Sequence, residues 1–226
     1  MVLSSINPEL FSEGCFAWRK TPTYSYLPEI PELIYNFNPQ VKLIWIFREP
    51  VSRTFSNYMH AYKKGVEKRT FSQAVQDELD GKEKNIWKKY IKRSIYIEQV
   101  NNYLMYFKLE QMYFCLFEDL IEDEVVELKK IANFLNIDPE MFINIDKASK
   151  NTTKVPVSPY LRKVTREYLS NGNILARIVN KINLTLGSYQ KHKIDNISKE
   201  YLMQYFTSYN NELEQTIGIN LKKIWK

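Results

Sequence analysis

A short apolar segment that ends abruptly at a proline constrains the fold of this chain more than any other feature. Residues 41–47 read Val-Lys-Leu-Ile-Trp-Ile-Phe, and such a β-branched and aromatic run is typical of a strand buried on both faces. Arg48-Glu49-Pro50 follows. Because proline lacks the N–H that is unpaired at the first helical position, Pro50 is well suited to start a helix. The segment therefore predicts a buried strand joined by a tight turn to a helix.

The residues after Pro50 repeat at helical spacing. Apolar residues recur every three to four positions and would face the core, whereas Ser52 and Ser56, four residues apart, share a different face. Gly65 suits the end of this helix, because glycine readily adopts the left-handed conformation that often follows a last turn. The apolar positions are Val51, Phe55, Tyr58 or Met59, and Tyr62.

A second apolar run and a second helical pattern follow later in the chain. Residues 112–117 predict another buried strand, which ends at Glu118, and residues 125–135 predict the next helix. Strands that alternate with helices form parallel sheets through right-handed crossovers. With 44% hydrophobic residues and no linker or repeat, we predict one α/β domain over residues 1–226, with a central parallel sheet and a helical C-terminal part.

The remaining segments predict further helices and one long loop. A short helix fits between Pro31 and Asn38, and another begins at Phe71 after a Thr70 cap. A polar stretch at 147–157 predicts a loop. The other expected helices span residues 94–107 and parts of 159–225, where 201–217 is the clearest and Trp225 is expected to pack back onto the domain.

Composition excludes several classes of protein. Two cysteines and two histidines cannot form a disulfide scaffold or a common zinc site, so we expect no metal, and Cys115 is interpreted as a buried core residue. The lysines behind the net charge of +6 are scattered, which argues against a nucleic-acid partner. We expect a cytoplasmic protein, because the chain shows neither a transmembrane run nor a secretion signal. The sequence does not indicate an oligomeric state.

Arg48 is the first candidate binding residue. In open α/β sheets ligands bind beyond the carboxyl ends of the strands, and Arg48 lies at such an end, directly before a helix N-terminus. The N–H groups there and an arginine fork would together favour a phosphate. Ser56 lies two turns along the helix and can donate its hydroxyl. The alternative is a structural salt bridge from Arg48 to Glu49 or Glu118.

The segment around Arg48 resembles a known family. Residues 42–58, Lys-Leu-Ile-Trp-Ile-Phe-Arg-Glu-Pro-Val-Ser-Arg-Thr-Phe-Ser-Asn-Tyr, are similar to the strand and helix that bind the 3′-phosphate in sulfotransferases using 3′-phosphoadenosine 5′-phosphosulfate (PAPS). Lys20-Thr-Pro-Thr-Tyr24, Arg93-Ser-Ile-Tyr96 and Glu118-Asp-Leu120 resemble elements of the heparan-sulfate and bacterial carbohydrate branch. The resemblance implies a P-loop-like three-layer fold and PAPS as the co-substrate, with no metal.

The resemblance also implies roles for individual residues. Arg48 and Ser56 would bind the 3′-phosphate, and Lys20 would stabilise the leaving phosphate or the acceptor. Arg93 and Ser94 would line the acceptor cleft, although an exposed helix start is the alternative. His60 shares a helix face with Ser56 and is a candidate base, since an ordinary imidazole titrates near neutrality. Glu118 is another candidate base, with helix capping as the alternative, and Lys20 has the alternative of a solvated loop lysine.

One departure from the family concerns the N-terminus. Members begin with a strand and a loop that grips the 5′-phosphosulfate, whereas only nineteen residues precede Lys20 and the six glycines form no phosphate-binding motif. We therefore expect an N-terminally shortened fold, from a misplaced gene start, a shortened chain or an inactive relic. The predicted function is transfer of a sulfuryl group from PAPS to a hydroxyl or amine of a carbohydrate or small molecule. The alternative is a non-catalytic module that binds 3′-phosphoadenosine nucleotides.

Overall fold

Two parallel strands form the sheet in the part of the chain that the computed structural model describes, residues 24–142 and 193–225. Strand β1 (Leu43–Phe47) pairs with β2 (Met112–Leu116), and Trp45 lies opposite Phe114. The intervening chain is helical, as parallel pairing requires of a crossover. The predicted parallel pairing of these two strands is confirmed.

Helices make up most of the described chain. The helix Phe71–Leu79 (α3) begins at a capping box, in which Thr70 and Gln73 exchange side-chain to main-chain hydrogen bonds. The longest of the described helices, Asn196–Ile217 (α7), is followed by Gly218, whose φ of 71° is left-handed. The α-helices are α1 (Ile30–Phe37), α2 (Pro50–Lys63), α3 (Phe71–Leu79), α4 (Tyr96–Leu104), α5 (Phe117–Glu122), α6 (Glu124–Leu135) and α7 (Asn196–Ile217).

The helix predicted at 94–107 is shorter than expected at both ends. Lys92–Ser94 forms a separate 3₁₀ turn before α4, and the carboxylate of Glu78 holds this turn by accepting hydrogen bonds from the Ile91 and Lys92 amides, at 2.9 and 2.8 Å. At the other end the Phe107 amide donates back to the carbonyl of Tyr103, which closes the last turn. A carboxylate from another helix therefore decides where α4 begins.

Strand β1 is buried on one face rather than on both as predicted. Trp45 and Phe47 pack under α4, with ring centroids 4.9 Å from Tyr103 and 4.4 Å from Tyr96 respectively. The opposite face carries Ile44 and Ile46, which remain 40% and 54% exposed. Helix α6 covers that face beside β2, where Tyr113 donates to Glu127, and it leaves the isoleucines of β1 accessible.

The C-terminal segment packs against the carboxyl ends of both strands. As predicted, Trp225 folds back, and its ring lies 6.1 Å from that of Tyr96. None of the described helices is long and apolar enough to cross a membrane. Lys20, the predicted loop at 147–157 and the segment 159–192 lie outside the described residues.

Candidate functional site

The turn between β1 and α2 is organised by Glu49. Its carboxylate caps α2 by accepting hydrogen bonds from the amides of Val51 and Ser52, both at 2.7 Å. These are the N–H groups that the sequence suggested as anion donors, and a side chain of the protein already occupies them. An anion at this strand end would therefore bind to side chains rather than to the helix terminus.

Arg48 is positioned by its own main chain. The hydroxyl of Tyr96, a residue only 4% exposed, accepts a hydrogen bond from the Arg48 amide at 3.1 Å and donates one to the Arg48 carbonyl at 3.0 Å. The guanidinium carbon lies 5.2 Å from the ring centroid of Phe117. The main chain of Arg48 is thus held by two hydrogen bonds, and its guanidinium group packs on the ring of Phe117.

The guanidinium of Arg48 has no counter-ion among residues 24–142 and 193–225. No carboxylate lies within 4.0 Å of it, so the alternative of a salt bridge to Glu49 or Glu118 is wrong. Those two carboxylates accept hydrogen bonds from N–H groups instead. The fork of Arg48 is available to an oxyanion.

Glu118 joins the two strand ends to the C-terminal segment. One carboxylate oxygen accepts from the Glu49 amide at 3.0 Å, and the other accepts from the indole Nε1 of Trp225 at 3.2 Å. Both oxygens are therefore engaged in supporting the turn that carries Arg48.

Ser56 and His60 lie together on α2. Both are exposed, and their spacing of four residues puts them on one face of the helix. Within the described chain, the Ser56 hydroxyl makes no hydrogen bond to another residue, so it is free to donate to a ligand. The structure places His60 one turn beyond Ser56.

Ser94 is buried inside a polar cluster. Its side chain is 1% exposed, and its hydroxyl oxygen lies 2.8 Å from Thr54 Oγ1 and 3.3 Å from the Tyr90 carbonyl. Arg53 donates to the same oxygen from Nη1 at 3.3 Å. The hydroxyl of Ser94 therefore ties α2 to the turn before α4 and does not face a cleft.

Arg93, next in sequence to Ser94, points elsewhere. Its guanidinium carbon lies 5.1 Å from the ring centroids of both Tyr26 and Trp87. Burial lowers the pKa of Arg93, and the positive charge of Arg53 lowers it further. The guanidinium group of Arg93 thus packs against two aromatic rings. The alternative, an exposed residue at a helix start, does not describe this position, because Arg93 is partly buried.

A buried ion cluster beneath the loop after α2 was not anticipated from sequence. Glu67, 1% exposed, accepts hydrogen bonds from Arg69 and from the Tyr90 hydroxyl, and Arg69 also pairs with Asp77 and Glu83. Burial alone would raise the pKa of Glu67, but hydrogen bonds from Arg69, Lys68 and Tyr90 lower it to about 2. Since Tyr90 also contacts Ser94, the cluster supports the turn that carries Arg93.

Cys115 matches its structural interpretation. It is a free thiol, 1% exposed, in β2 opposite Ile46 of β1. Burial and the nearby Glu127 raise its pKa to about 12. It is therefore a core residue rather than a nucleophile.

Comparison with known proteins identifies the family. The sequence model described as the sulfotransferase domain matches residues 27–207, which is most of the chain. This chain belongs to the sulfotransferase domain family. Its fold is similar to the crystal structure of a sulfotransferase from Alicyclobacillus acidocaldarius, with a TM-score of 0.62 and 20% identity over 89% of this chain and 64% of that one. The predicted α/β sulfotransferase fold is confirmed.

Curated sulfotransferases match a shorter part of the chain. Heparan sulfate glucosamine 3-O-sulfotransferase 5 of Mus musculus is 31% identical over 125 residues, 54% of this chain and 36% of that protein. Heparan sulfate glucosamine 3-O-sulfotransferase 3B1 of Homo sapiens is 31% identical over 126 residues, 55% of this chain and 32% of that protein. The chain thus spans about a third of the length of these relatives.

Proposed function

We propose that this sulfotransferase-family chain transfers a sulfuryl group from PAPS to a hydroxyl or amine of a carbohydrate. The observation that carries the proposal is Arg48, a guanidinium at a strand end, positioned by Tyr96 and without a carboxylate partner in the described chain. An arginine fork binds phosphate oxygens with two parallel, charge-assisted hydrogen bonds. The 3′-phosphate of PAPS is a dianion whose oxygens can accept these two hydrogen bonds.

Ser56 is proposed as the second ligand of the 3′-phosphate. Its exposed hydroxyl lies on the second turn of α2, counted from Arg48, and can donate one hydrogen bond. A neutral hydroxyl contributes less than a guanidinium, because hydrogen bonds that involve a charged donor are about twice as strong as neutral ones. Arg48 should therefore supply most of the affinity, and Ser56 should fix the orientation.

The chemistry of sulfuryl transfer suggests roles for the remaining predicted residues. As the bond from sulfur to the bridging phosphate oxygen breaks, a new bond forms between sulfur and the acceptor, whose proton goes to a base. Negative charge grows on the departing phosphate, and Lys20 is proposed to neutralise it through its match to the family motif. His60 is proposed as the base because it shares a face of α2 with Ser56. Glu118 has a supporting role, since its two oxygens accept hydrogen bonds from the Glu49 amide and the Trp225 indole.

The carbohydrate acceptor is supported by the relatives. The curated proteins that match this chain are named for 3-O-sulfation of glucosamine in heparan sulfate. Because the match covers about a third of those proteins, the acceptor of this chain is proposed only as a carbohydrate. No observation on the described residues favours the alternative of a non-catalytic nucleotide-binding module.

Two measurements test the proposal. Calorimetry with adenosine 3′,5′-bisphosphate should show that Arg48→Ala loses about 1.5–3 kcal/mol of binding free energy and that Arg48→Lys recovers only part of it. Lys84→Ala removes an exposed cation that is not one of the proposed phosphate ligands. It is the control and should bind adenosine 3′,5′-bisphosphate normally. Transfer of labelled sulfate from PAPS to a panel of oligosaccharides tests the reaction itself. Equal affinity of Arg48→Ala and the unmodified protein would contradict the assignment.

A further inference from the structure

The net positive charge of the chain is concentrated in one short segment. Residues 84–93, which we call the basic turn, contain four lysines and one arginine and no acidic residue, so they account for five of the six net charges. Lysines occur throughout the sequence, but outside the basic turn basic and acidic residues nearly balance. The basic turn connects α3 to α4, and its cations are Lys84, Lys88, Lys89, Lys92 and Arg93.

The carboxylates that precede the basic turn do not neutralise it. Three of the four in residues 77–83 are paired with Arg69 or Lys82, which lie outside the turn. The fourth, Glu78, accepts hydrogen bonds from two main-chain amides of the turn and lies near Lys89. Within the described chain, none of the five cations has a carboxylate within 4.0 Å. The charge of the basic turn is therefore available to an anionic partner.

Two large apolar side chains are exposed within the basic turn. Ile86 is 39% exposed and Trp87 is 55% exposed, and both belong to the 3₁₀ turn Ile86–Lys88. None of the described helices or strands packs extensively against this 3₁₀ turn. Apolar surface that contacts water gains free energy when a partner buries it. The basic turn thus presents an apolar pair with lysines before and after it in sequence.

Hydrogen bonds hold the apolar pair in its exposed position. The Asn85 side chain accepts from the Trp87 amide at 2.9 Å, and the Asn85 amide donates to Glu83 at 2.7 Å. Glu83 is itself fixed by Arg69, at 2.6 Å. The backbone of the apolar pair is therefore ordered before any partner binds, and binding requires little further loss of conformational entropy there.

We propose that the basic turn is a docking surface for an anionic lipid bilayer, with Ile86 and Trp87 at the level of the lipid headgroups. The negative surface potential of such a bilayer attracts lysines. Tryptophan favours the boundary between headgroups and hydrocarbon, and lysines can keep their charges in the headgroup region while their stems contact apolar surface. Both features of the basic turn, its charge and its apolar pair, therefore find a complementary environment in one partner.

Other anionic partners match only part of this surface. A soluble polyanion would pair with the lysines and would offer Ile86 no apolar environment. A protein partner usually needs about 800 Å² of surface on each side, which is far more than two apolar side chains supply. A bilayer sets no such minimum, because its hydrocarbon accepts single side chains and its charge is spread over the whole surface.

Sedimentation of the 226-residue protein with vesicles tests the surface. Vesicles of phosphatidylcholine and phosphatidylglycerol in equal amounts are compared with vesicles of phosphatidylcholine alone. We expect binding to the mixed vesicles that weakens at high salt, and binding to the neutral vesicles that is weaker by about tenfold or more.

Two sets of variants locate the binding surface. Lys84→Gln/Lys88→Gln/Lys92→Gln should weaken binding to the mixed vesicles by about tenfold or more. The matched control, Lys199→Gln/Lys222→Gln/Lys223→Gln, removes three exposed lysines elsewhere and should lose less than about threefold. Ile86→Asn should weaken binding several-fold, whereas Ile197→Asn, at an isoleucine of α7 that is 83% exposed, should not.

Fluorescence distinguishes insertion from electrostatic adsorption. Lipids with brominated acyl chains quench a tryptophan that enters the bilayer. We expect these lipids in the mixed vesicles to quench the unmodified protein and to quench Trp87→Phe much less, because Trp87 is the tryptophan in the basic turn. Quenching that is equal in the two proteins would contradict insertion of Trp87 and overturn the proposal.

The remaining outcomes also decide the question. No binding to the mixed vesicles, equal binding to mixed and neutral vesicles, or equal losses in the two triple lysine variants would each overturn the proposal. Binding of heparin without binding of vesicles would identify a surface for soluble polyanions and would overturn it as well. If the variants fail to fold, the unmodified protein still decides through the comparison of the two vesicle types and through quenching by brominated lipids. None of these measurements depends on sulfate transfer.

Discussion

At the scale of single residues, buried hydroxyl and carboxylate groups position the two arginines. Tyr96 satisfies both main-chain polar groups of Arg48, and the hydroxyl of Ser94 collects contacts from α2 and from the turn before α4. Buried polar groups are stable only when they are paired, so each contact restricts the backbone locally. Within the described chain, the two guanidinium groups can then lack a carboxylate partner and still keep their position, because aromatic rings contact them as well.

Tyr96→Phe tests this positioning. The change keeps the ring packed on Phe47 and removes both hydrogen bonds to Arg48, so the Arg48 amide and carbonyl lose their partner. We expect the free energy of unfolding to fall by about 1–3 kcal/mol and the affinity for adenosine 3′,5′-bisphosphate to fall several-fold. Urea denaturation and calorimetry measure the two effects.

Tyr103→Phe is the matched control for Tyr96→Phe. Tyr103 is also buried, and its hydroxyl donates to the Tyr24 carbonyl at 3.1 Å rather than to Arg48. It should lose stability and keep nucleotide affinity. If Tyr96→Phe also keeps full affinity, Tyr96 has only a structural role.

Glu67 makes the stability of the protein sensitive to acid. Its pKa is lowered from the ordinary 4.5 to about 2, so the folded state holds the carboxylate ionised in a range where the unfolded chain binds a proton. This contribution is present above about pH 5 and is lost as the pH falls towards 2. Urea unfolding between pH 7 and pH 3 should show the loss, and Glu67→Gln should have a shallower pH dependence. Glu110→Gln, which removes an exposed carboxylate without an ion pair in the described part of the chain, should leave the slope nearly unchanged.

At the scale of elements, caps and sheet geometry determine what each segment can bind. The two oxygens of Glu49 accept from the first N–H groups of α2, which leaves the side chains of Arg48 and Ser56 as the proposed ligands of an anion. The 3₁₀ turn at Lys92–Ser94 separates Arg93 from α4 and allows it to reach the rings of Tyr26 and Trp87. The cap of α2 and the 3₁₀ turn before α4 thus orient the candidate side chains.

The cap on α2 gives a prediction at this scale. Glu49→Ala should destabilise the protein by about 0.5–2 kcal/mol, because two amides lose their acceptor, whereas Glu49→Asp should retain most of the stability. Thr70→Ala, which breaks the capping box of α3, serves as a comparison and should lose a similar amount. Thermal or urea unfolding measures both, and an unchanged midpoint for Glu49→Ala would exclude a capping role.

At the scale of the whole molecule, the C-terminal segment closes the end of the sheet where Arg48 lies. Trp225 reaches Glu118 across 107 positions in sequence, and Glu118 in turn holds the Glu49 amide. The three residues connect β1, β2 and the segment after α7. The nucleotide site that we propose therefore depends on the segment after α7 as well as on the strand that precedes Arg48.

Trp225→Phe tests the closure. Phenylalanine keeps the contact with Tyr96 and lacks the indole N–H, so Glu118 loses one donor. A hydrogen bond to a charged group is worth about 1.5–3 kcal/mol, and we expect a loss of that size in the free energy of unfolding. Trp87→Phe, at an exposed tryptophan, should lose much less. Equal stabilities of the two variants would show that the Glu118 contact contributes nothing.

The local sequence alone determined where most elements begin and end. Pro50, Thr70 and Gly218 mark helix termini through the dihedral angles and hydrogen bonds that each residue type allows, and these effects act within a turn of the chain. The position of Arg48 at a strand end follows from the same short-range pattern. The family, too, was evident from residues close together in sequence.

Only the tertiary structure decided which of these residues are free to bind a ligand. Arg93 and Ser94 are adjacent and equally plausible in the sequence, yet the Ser94 hydroxyl accepts a hydrogen bond from Thr54, 40 positions away. Two nitrogens of Arg93, in contrast, have no hydrogen-bond partner among the described residues. Likewise, in the described part of the chain β1 is buried on one face, because α4 lies over Trp45, whereas α6 covers the other face beside β2 and leaves Ile46 exposed. Side-chain pairing and burial depend on contacts between distant segments, and hydrophobic periodicity does not encode them.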